Sequence, residues 1–181
     1  MCANRRCSGS LRFAVAAVLV VAGGSAETEA ANVPTTSSAL TNVRVSDLST
    51  AGAVRRAVAG AEEWLEKTEC QRVFSDFEDR SGKPLKDILA ERGRTGRSQL
   101  AHVFFYDGSY LPVCKRGSVA AVTKPGSHAV FVCPRGFHNR CGNPLDARTT
   151  IIHELLHTLG LGENPPSSRQ INVGVMKRCS R

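Results

Sequence analysis

The chain has 181 residues, of which 41% are hydrophobic and 22% are charged, and its formal net charge is +8 at pH 7. This composition is that of an ordinary globular protein, so a single domain with a hydrophobic core is the default. The basic residues are scattered and few aromatic residues lie among them, which argues against nucleic acid as a partner. The positive charge instead favours solubility and attraction to anionic surfaces such as cell envelopes.

Residues 1–26 have the pattern of a secretory signal peptide. Arg5, Arg6 and Arg12 precede an apolar run over residues 13–22, and small residues follow as far as Ala26. The run is shorter than the ~20 residues that a permanent membrane helix needs. We therefore expect a secreted or periplasmic protein without a permanent membrane anchor. Cleavage near Ala26 removes three of the 24 basic residues and none of the 16 acidic ones, which leaves a net charge of +5.

The cysteines are consistent with export. In an oxidising compartment thiols tend to form disulfides, which stabilise small domains. Five cysteines remain in the mature chain: Cys70, Cys114, Cys133, Cys141 and Cys179. The odd number predicts two bridges and one leftover thiol, and the pairing is left open. The alternative, a metal site that uses Cys133 and Cys141, requires both thiols to escape oxidation.

The first half of the mature chain predicts a leader followed by helices. Residues 27–46 are rich in Ala, Thr and Ser without an apolar period, which predicts a flexible leader or linker that could act as a propeptide. A helical period starts at about Asp47, where we place the start of a single domain over residues 47–181. Its apolar positions are Val54, Val58, Ala61 and Leu65. The turn residues 81–84 then start a short helix that ends near Gly93.

The second half predicts a small sheet and two further helices. Residues 100–106 favour a strand, and residues 119–122 and 129–133 favour a hairpin around Pro125-Gly126. Loop residues occupy 134–143, and a helix then starts at Pro144, capped by Asn143, and stops at Gly160. A capping box at Ser167 starts the last helix. The predicted fold class is α+β: N-terminal helices, a small, mostly antiparallel sheet and a C-terminal helix that carries the site.

The helix that starts at Pro144 carries the sequence His153-Glu154-Leu155-Leu156-His157. Histidines four residues apart lie on one helix face, close enough to bind one zinc ion. Glu154 is rotated by about 100° from His153, which aims its carboxylate at a zinc-activated water as a general base. The alternative is a pair of core histidines with ordinary hydrogen-bond partners. A strongly apolar helix is an unusual place for three buried polar residues without a function.

A longer pattern extends this motif through Gly160 to Glu163, ten residues after His153. It resembles the zincin superfamily, and its spacing is similar to the metzincin pattern His-Glu-x-x-His-x-x-Gly-x-x-ligand. The resemblance implies a compact zincin-like domain with a catalytic zinc ion and Glu163 as third ligand. That pattern usually ends in His, but a carboxylate is also an acceptable zinc ligand. Other residues remain candidates for the third ligand: Asp146, His102, His128 and His138.

The same resemblance raises the question of Met176, since those metallopeptidases carry a methionine beneath the metal. Met176 also follows the helical spacing of Ile171 and Val175, which predicts an ordinary core position. The stretch 153–168 is in addition similar to short uncharacterised secreted bacterial proteins, and residues 70–77 more weakly so. Four residues could stabilise a developing oxyanion: Tyr106, Tyr110, His128 and His138.

These observations predict a secreted zinc metalloendopeptidase that hydrolyses protein or peptide substrates, and hydrolysis of another amide, such as a cell-wall peptide, fits the same residues. The alternative is a non-catalytic, disulfide-stabilised secreted module with a structural zinc ion or an envelope-binding role. Glu154 separates the two, because a structural zinc site closes with four protein ligands and needs no base. Substrate preference and oligomeric state are left open.

Overall fold

The computed structural model describes residues 42–140 and 143–181. Within them, strands β1–β4 and helices α1–α9 follow in this order: β1 Val43–Arg44, α1 Leu48–Leu65, α2 Thr68–Gln71, α3 Val73–Asp76, α4 Leu85–Glu91, α5 Gly96–Leu100, β2 Phe104–Asp107, α6 Pro112–Lys115, β3 Ala121–Thr123, β4 Ala129–Val132, α7 Pro134–Arg140, α8 Pro144–Thr158 and α9 Ser168–Cys179. The expected α+β class is confirmed. The predicted signal peptide and residues 27–41 of the predicted leader lie outside the described residues.

The four strands form one mixed sheet in the order β1-β2-β4-β3. The hairpin of β3 and β4 is antiparallel as expected, but β2 is parallel to both β1 and β4. The expectation of a mostly antiparallel sheet is therefore wrong. The connection that contains α1–α5 returns the chain to the same end of the sheet before β2, and between β2 and β4 the chain runs back along β3, so both pairs are parallel.

The core lies between the sheet and the helices α1 and α8, which pack against each other. Along β2 and β4 the inward side chains Phe105, Val130 and Val132 are fully buried, while their neighbours are half-buried. The predicted apolar stripe of α1 is buried as well. Asp47 starts α1 as expected, because its carboxylate accepts a hydrogen bond of 2.7 Å from the backbone N–H of Thr50.

Three segments differ from the sequence-based expectation. Val43–Arg44 pairs with β2, so the folded domain begins before Asp47 and includes the end of the predicted leader. Leu100 ends helix α5, which starts with a capping box at Thr95, so the predicted strand begins only at Phe104. Residues 134–140 form α7 rather than a loop. Gly136 is needed there because a Cβ would collide with the carbonyl oxygen of Val119.

Two disulfides are present, as the cysteine count predicts: Cys70–Cys179 and Cys114–Cys133. Cys141, the expected leftover thiol, lies outside the described residues. Because Cys133 is in a disulfide, it is not a metal ligand, and the alternative site with Cys141 is excluded. The first bridge ties α2 to α9, the helix that packs against α8. Among the helices described, none is long and apolar enough to cross a bilayer.

Candidate metal centre

Helix α8 brings the two histidine rings together at one point. Their ring centroids are 4.8 Å apart, and the distance between the two Nε2 atoms is 3.0 Å. His153, Glu154 and His157 are 6%, 5% and 4% exposed, so all three polar side chains are buried. The start of α8 at Pro144 and its end before Gly160, where φ is +108°, agree with the sequence prediction. The histidine spacing therefore produces the shared helix face that the motif predicts.

The Nδ1 atom of each histidine ring forms a hydrogen bond with an oxygen atom. His153 Nδ1 lies 2.8 Å from Oδ1 of Asn172, and His157 Nδ1 lies 2.8 Å from the carbonyl oxygen of Leu161. A carbonyl oxygen only accepts, so each Nδ1 carries the proton and donates it. When both rings are neutral, their Nε2 atoms are unprotonated, and the two lone pairs face each other across 3.0 Å. A cation relieves this repulsion, and neutral imidazoles held in this way are typical metal ligands.

Burial sets the protonation states of His153 and Glu154. Burial, together with the neighbouring His157, lowers the pKa of His153 to about 4, although its bond with Asn172 opposes the change. His153 is therefore neutral at physiological pH, the form in which imidazole binds a metal. Burial, together with the charge of Glu163, raises the pKa of Glu154 to about 7, although the Thr123 hydroxyl opposes the rise.

Glu154 and Thr123 face the site without partners. Glu154 Oε2 and Thr123 Oγ1 are buried; the two groups are close enough for the hydroxyl to affect the pKa of the carboxyl, but within the part of the chain that is described neither atom makes a hydrogen bond of normal distance and angle. Buried polar atoms are nearly always satisfied, so an exception of this kind indicates a ligand, an ion or a water molecule at that place. The unpartnered carboxylate oxygen stands next to His153 in sequence, as the general-base hypothesis requires.

The two histidines and Glu154 line a cavity of about 330 Å³. Residues 118–123, which include β3, form one wall, and the N-terminal part of α9 contributes Ser168 and Asn172. The turn of the β3–β4 hairpin is fixed to the end of α8, because the N–H of Gly126 donates a bond of 2.8 Å to the carbonyl oxygen of His157. The cavity is therefore bounded by a helix, an edge strand and a second helix whose positions are tied together.

Glu163 lines the same cavity, but its side chain is exposed. Among the described residues, no three His, Cys, Asp or Glu side chains converge closely enough to form a complete metal site. The structure thus brings the two histidines together and leaves the carboxylate of Glu163 at the rim. Gly160, with its positive φ, permits the turn after α8 that places Glu163 there.

The other candidate ligands and oxyanion donors do not line this cavity. His102 Nδ1 is 2.7 Å from the carbonyl oxygen of Ser98, and His138 Nε2 is 2.9 Å from Thr50 Oγ1. Asp146 lines a neighbouring cavity instead. His128 lies beside basic residues, and Tyr106 and Tyr110 contact Phe131. None of them is therefore placed to act at the histidines.

Met176 lies in α9, as its helical spacing predicts, and not in a turn beneath the histidines. Its side chain is partly buried against the core, and the hydroxyl of Thr149 lies 2.9 Å from its sulfur atom. Met176 is therefore a packing residue between α8 and α9. The methionine of the resembling family has no counterpart in this position.

Sequence reasoning missed three residues of the site: Thr123, Arg140 and Asn172. Thr123 faces inward on β3, where strand alternation places a buried polar side chain. Asn172 follows the core residue Ile171 on α9, so it is a polar residue at the edge of an apolar helix face. That position could have identified it as a candidate site residue. Arg140 had no such signal, since its segment was expected to be a loop.

The donors present fit zinc. Imidazole nitrogen and carboxylate oxygen are ordinary zinc ligands, and a catalytic site keeps an open position toward a cavity. The orienting bonds from Asn172 and Leu161 to the ring nitrogens are the outer contacts that metal-binding histidines usually have. No protein-family model, curated protein or solved structure matches the chain.

Proposed function

We propose that the chain is a secreted zinc metallopeptidase, with His153, His157 and Glu163 as its metal ligands and Glu154 as its general base. One observation carries the proposal. The Nε2 atoms of the two histidines lie 3.0 Å apart, beside a buried carboxylate that has an unpartnered oxygen. Between neutral rings with protonated Nδ1 atoms the Nε2 lone pairs would repel each other, and a cation would relieve this repulsion.

The ligand residues have separate roles. His153 and His157 are held rigidly by the bonds at their Nδ1 atoms, so they supply a preformed pair of nitrogen donors. Glu163 lines the same cavity at its exposed rim, and in the proposed enzyme its carboxylate would be the third protein ligand. Bound zinc supplies a Lewis acid that polarises a carbonyl oxygen and acidifies water.

Glu154 is the general base and then the general acid of the proposed reaction. It is buried on the cavity wall, so its free oxygen can accept a proton from the attacking water and afterwards return it to the leaving nitrogen. Thr123 lines the same cavity close to this carboxylate and can hold it in place by a hydrogen bond. A closed structural zinc site needs neither residue, which favours a catalytic site over a structural one.

The shape of the cavity favours a peptide substrate. Strand β3 is last in the sheet order, so its outer edge has no strand partner among the described residues. Residues 118–123 also line the cavity. An extended polypeptide can pair with such an edge through its main chain, which places one of its carbonyl groups over the histidines. A peptide bond is therefore the amide that this cavity presents best to Glu154.

The test is to measure zinc content and proteolysis on the mature chain, residues 27–181, and on its Glu154→Gln variant. We expect about one zinc ion per chain in both proteins and cleavage of an unstructured protein such as casein only by the unsubstituted one. Glu63→Gln, on the exposed side of α1, is the matched control and should leave both properties unchanged. Zinc without any cleavage in the unsubstituted chain would support the structural module instead.

A further inference from the structure

A second cavity, of about 700 Å³, adjoins the candidate metal centre and lies against α8 and α9. Arg140, Ser168 and Asn172 line both cavities. Asn172 is also the residue that orients the ring of His153. A group bound in the second cavity would therefore lie directly beside the bond that is to be cleaved.

The second cavity is lined by an excess of positive charge. Arg140, Arg169 and Lys177 contribute three cations, against one carboxylate from Asp146. In the described ranges 42–140 and 143–181, none of these three cations is within ion-pair distance of an acidic side chain. Val173 and Met176 add apolar surface to the same lining. Such a cavity favours a ligand with an aliphatic stem and a negative end.

Arg140 is the cation best placed to bind a substrate group, because it alone among the three cations lines both cavities. Its planar guanidinium can donate two parallel hydrogen bonds to one carboxylate, a geometry that lysine cannot provide. Glu163 is the acid that could compete for it in the first cavity. In the proposed enzyme, the charge of Glu163 is committed to the metal, so Arg140 stays available.

We propose that the second cavity binds a carboxylate of the substrate through Arg140, so that the enzyme selects peptides with a negative group beside the scissile bond. This inference rests on the proposed peptidase function and names its substrate class. The carboxylate has two sources: an acidic side chain within a longer chain, or the free C-terminus of the peptide. The two sources make the same contact with the guanidinium but predict different products, since an internal acid leads to internal cleavage and a terminal carboxylate to trimming of the end.

The experiment first locates a bond in casein that the zinc-loaded mature chain cleaves and then varies the residue beside it in synthetic decapeptides. One set carries Glu, Gln or Lys at that position with an amidated C-terminus, and a second set carries Gln with a free C-terminus. We expect a carboxylate in one of the two sets to raise kcat/KM about 10- to 100-fold over the amidated Gln peptide. The set that shows the effect identifies the source.

The Arg140→Gln variant should lose this preference, so that its kcat/KM values for the carboxylate peptide and for the amidated Gln peptide become equal, and Arg140→Glu should prefer the Lys peptide. Arg135→Gln is the matched control, because Arg135 is exposed on the same helix and lines neither cavity. No preference for a carboxylate in the unsubstituted chain, or an unchanged preference in Arg140→Gln, overturns the inference while the peptidase function stands.

A binding measurement separates this inference from the proposed function. Fluorescence anisotropy of the labelled peptides is recorded with the metal-free Glu163→Gln chain, in which no Glu163 carboxylate competes for Arg140, since the second cavity contains neither histidine. Tighter binding of the carboxylate peptide that is lost in the Arg140→Gln double variant supports the carboxylate site, whether or not the chain cleaves peptides. A chain that cleaves nothing would overturn only the peptidase function. Equal binding of all peptides overturns the carboxylate site.

Discussion

His153 Nδ1 and Asn172 Oδ1 are 2.8 Å apart, although 19 residues separate them in sequence. The bond joins α8, which carries the histidine pair, to α9, which lies across it. Helix α9 is itself fixed to α2 by the Cys70–Cys179 disulfide and to α3 by a bidentate ion pair between Arg178 and Asp76. The orientation of one metal ligand therefore depends on the anchoring of a second helix.

Replacing Asn172 by Ala should weaken zinc binding. The ring of His153 then loses the acceptor that sets its tautomer and direction, and losses of this kind typically cost about 10- to 100-fold in metal affinity. The zinc dissociation constant can be measured by competition with a chromogenic chelator. Val173→Ala, at an exposed neighbouring position, is the control and should bind zinc normally. Unchanged affinity in the Asn172 variant would mean that the bond has no role in metal binding.

Replacing Glu163 by Ala should also lower zinc affinity, since one of three protein ligands is removed, but the chain should remain folded because the side chain is exposed. Glu163→Asp should retain part of the affinity, as it keeps a carboxylate on a shorter stem. Circular dichroism and the same chelator competition check the two expectations. Full zinc affinity in Glu163→Ala would remove Glu163 from the ligand set and leave the histidine pair with another partner.

Gly136→Ala should destabilise the domain, because a Cβ there would collide with the carbonyl oxygen of Val119, next to the wall of the metal cavity. Overpacking of this kind costs about 1–3 kcal/mol. Gly52→Ala is the control: its Cβ would lie 3.5 Å from the nearest side-chain atom, inside helix α1. That substitution should stabilise by about 0.5–1 kcal/mol. Urea unfolding gives both values, and equal effects of the two substitutions would contradict the close packing of α7.

The Asp76–Arg178 pair should make stability depend on pH in acid. The hydrogen bonds from Arg178 lower the pKa of the Asp76 carboxyl below its usual value of 3.8. The charged form is favoured in the folded state, so the contribution is complete above pH 3.8 and disappears as the pH falls through the lower folded value. Asp76→Asn should therefore be less stable than the unsubstituted chain at neutral pH and equal to it in stronger acid. Urea unfolding at a series of pH values measures the stability difference between Asp76→Asn and the unsubstituted chain, and a difference that does not change with pH would contradict this expectation. Asp87→Asn serves as the control.

Local signals in the sequence predicted the parts of the fold that local forces determine. The start of a helix at about Asp47, the cap at Ser167, the Pro125-Gly126 turn and the stop at Gly160 each depend on a few neighbouring residues. The pairing of Val43–Arg44 with β2 was not predictable, because two residues carry no period and their partner lies about 60 positions away. Helix α7 was missed since Pro134, Gly136 and Asn139 are also typical of loops.

The same division applies to the site. The histidines and Glu154 lie within one turn of a single helix, so their relative placement followed from spacing alone. Asn172 and Arg140 reach the cavity from α9 and α7, and only the packing of three helices brings them there. Thr123 comes from the edge strand β3. The sequence predicted the hairpin that contains this strand, but it did not predict that the strand lies close to α8. Tertiary contacts between elements are what a single sequence does not reveal.

X-ray absorption at the zinc edge, recorded on the zinc-loaded mature chain, tests the central claim most directly. We expect a first shell of nitrogen and oxygen atoms at about 2.0–2.1 Å, with scattering from two imidazole rings that is lost in His153→Ala/His157→Ala. A chain that binds no zinc, a shell that contains sulfur at about 2.3 Å, or an unchanged spectrum in the double variant would contradict a metal centre on α8.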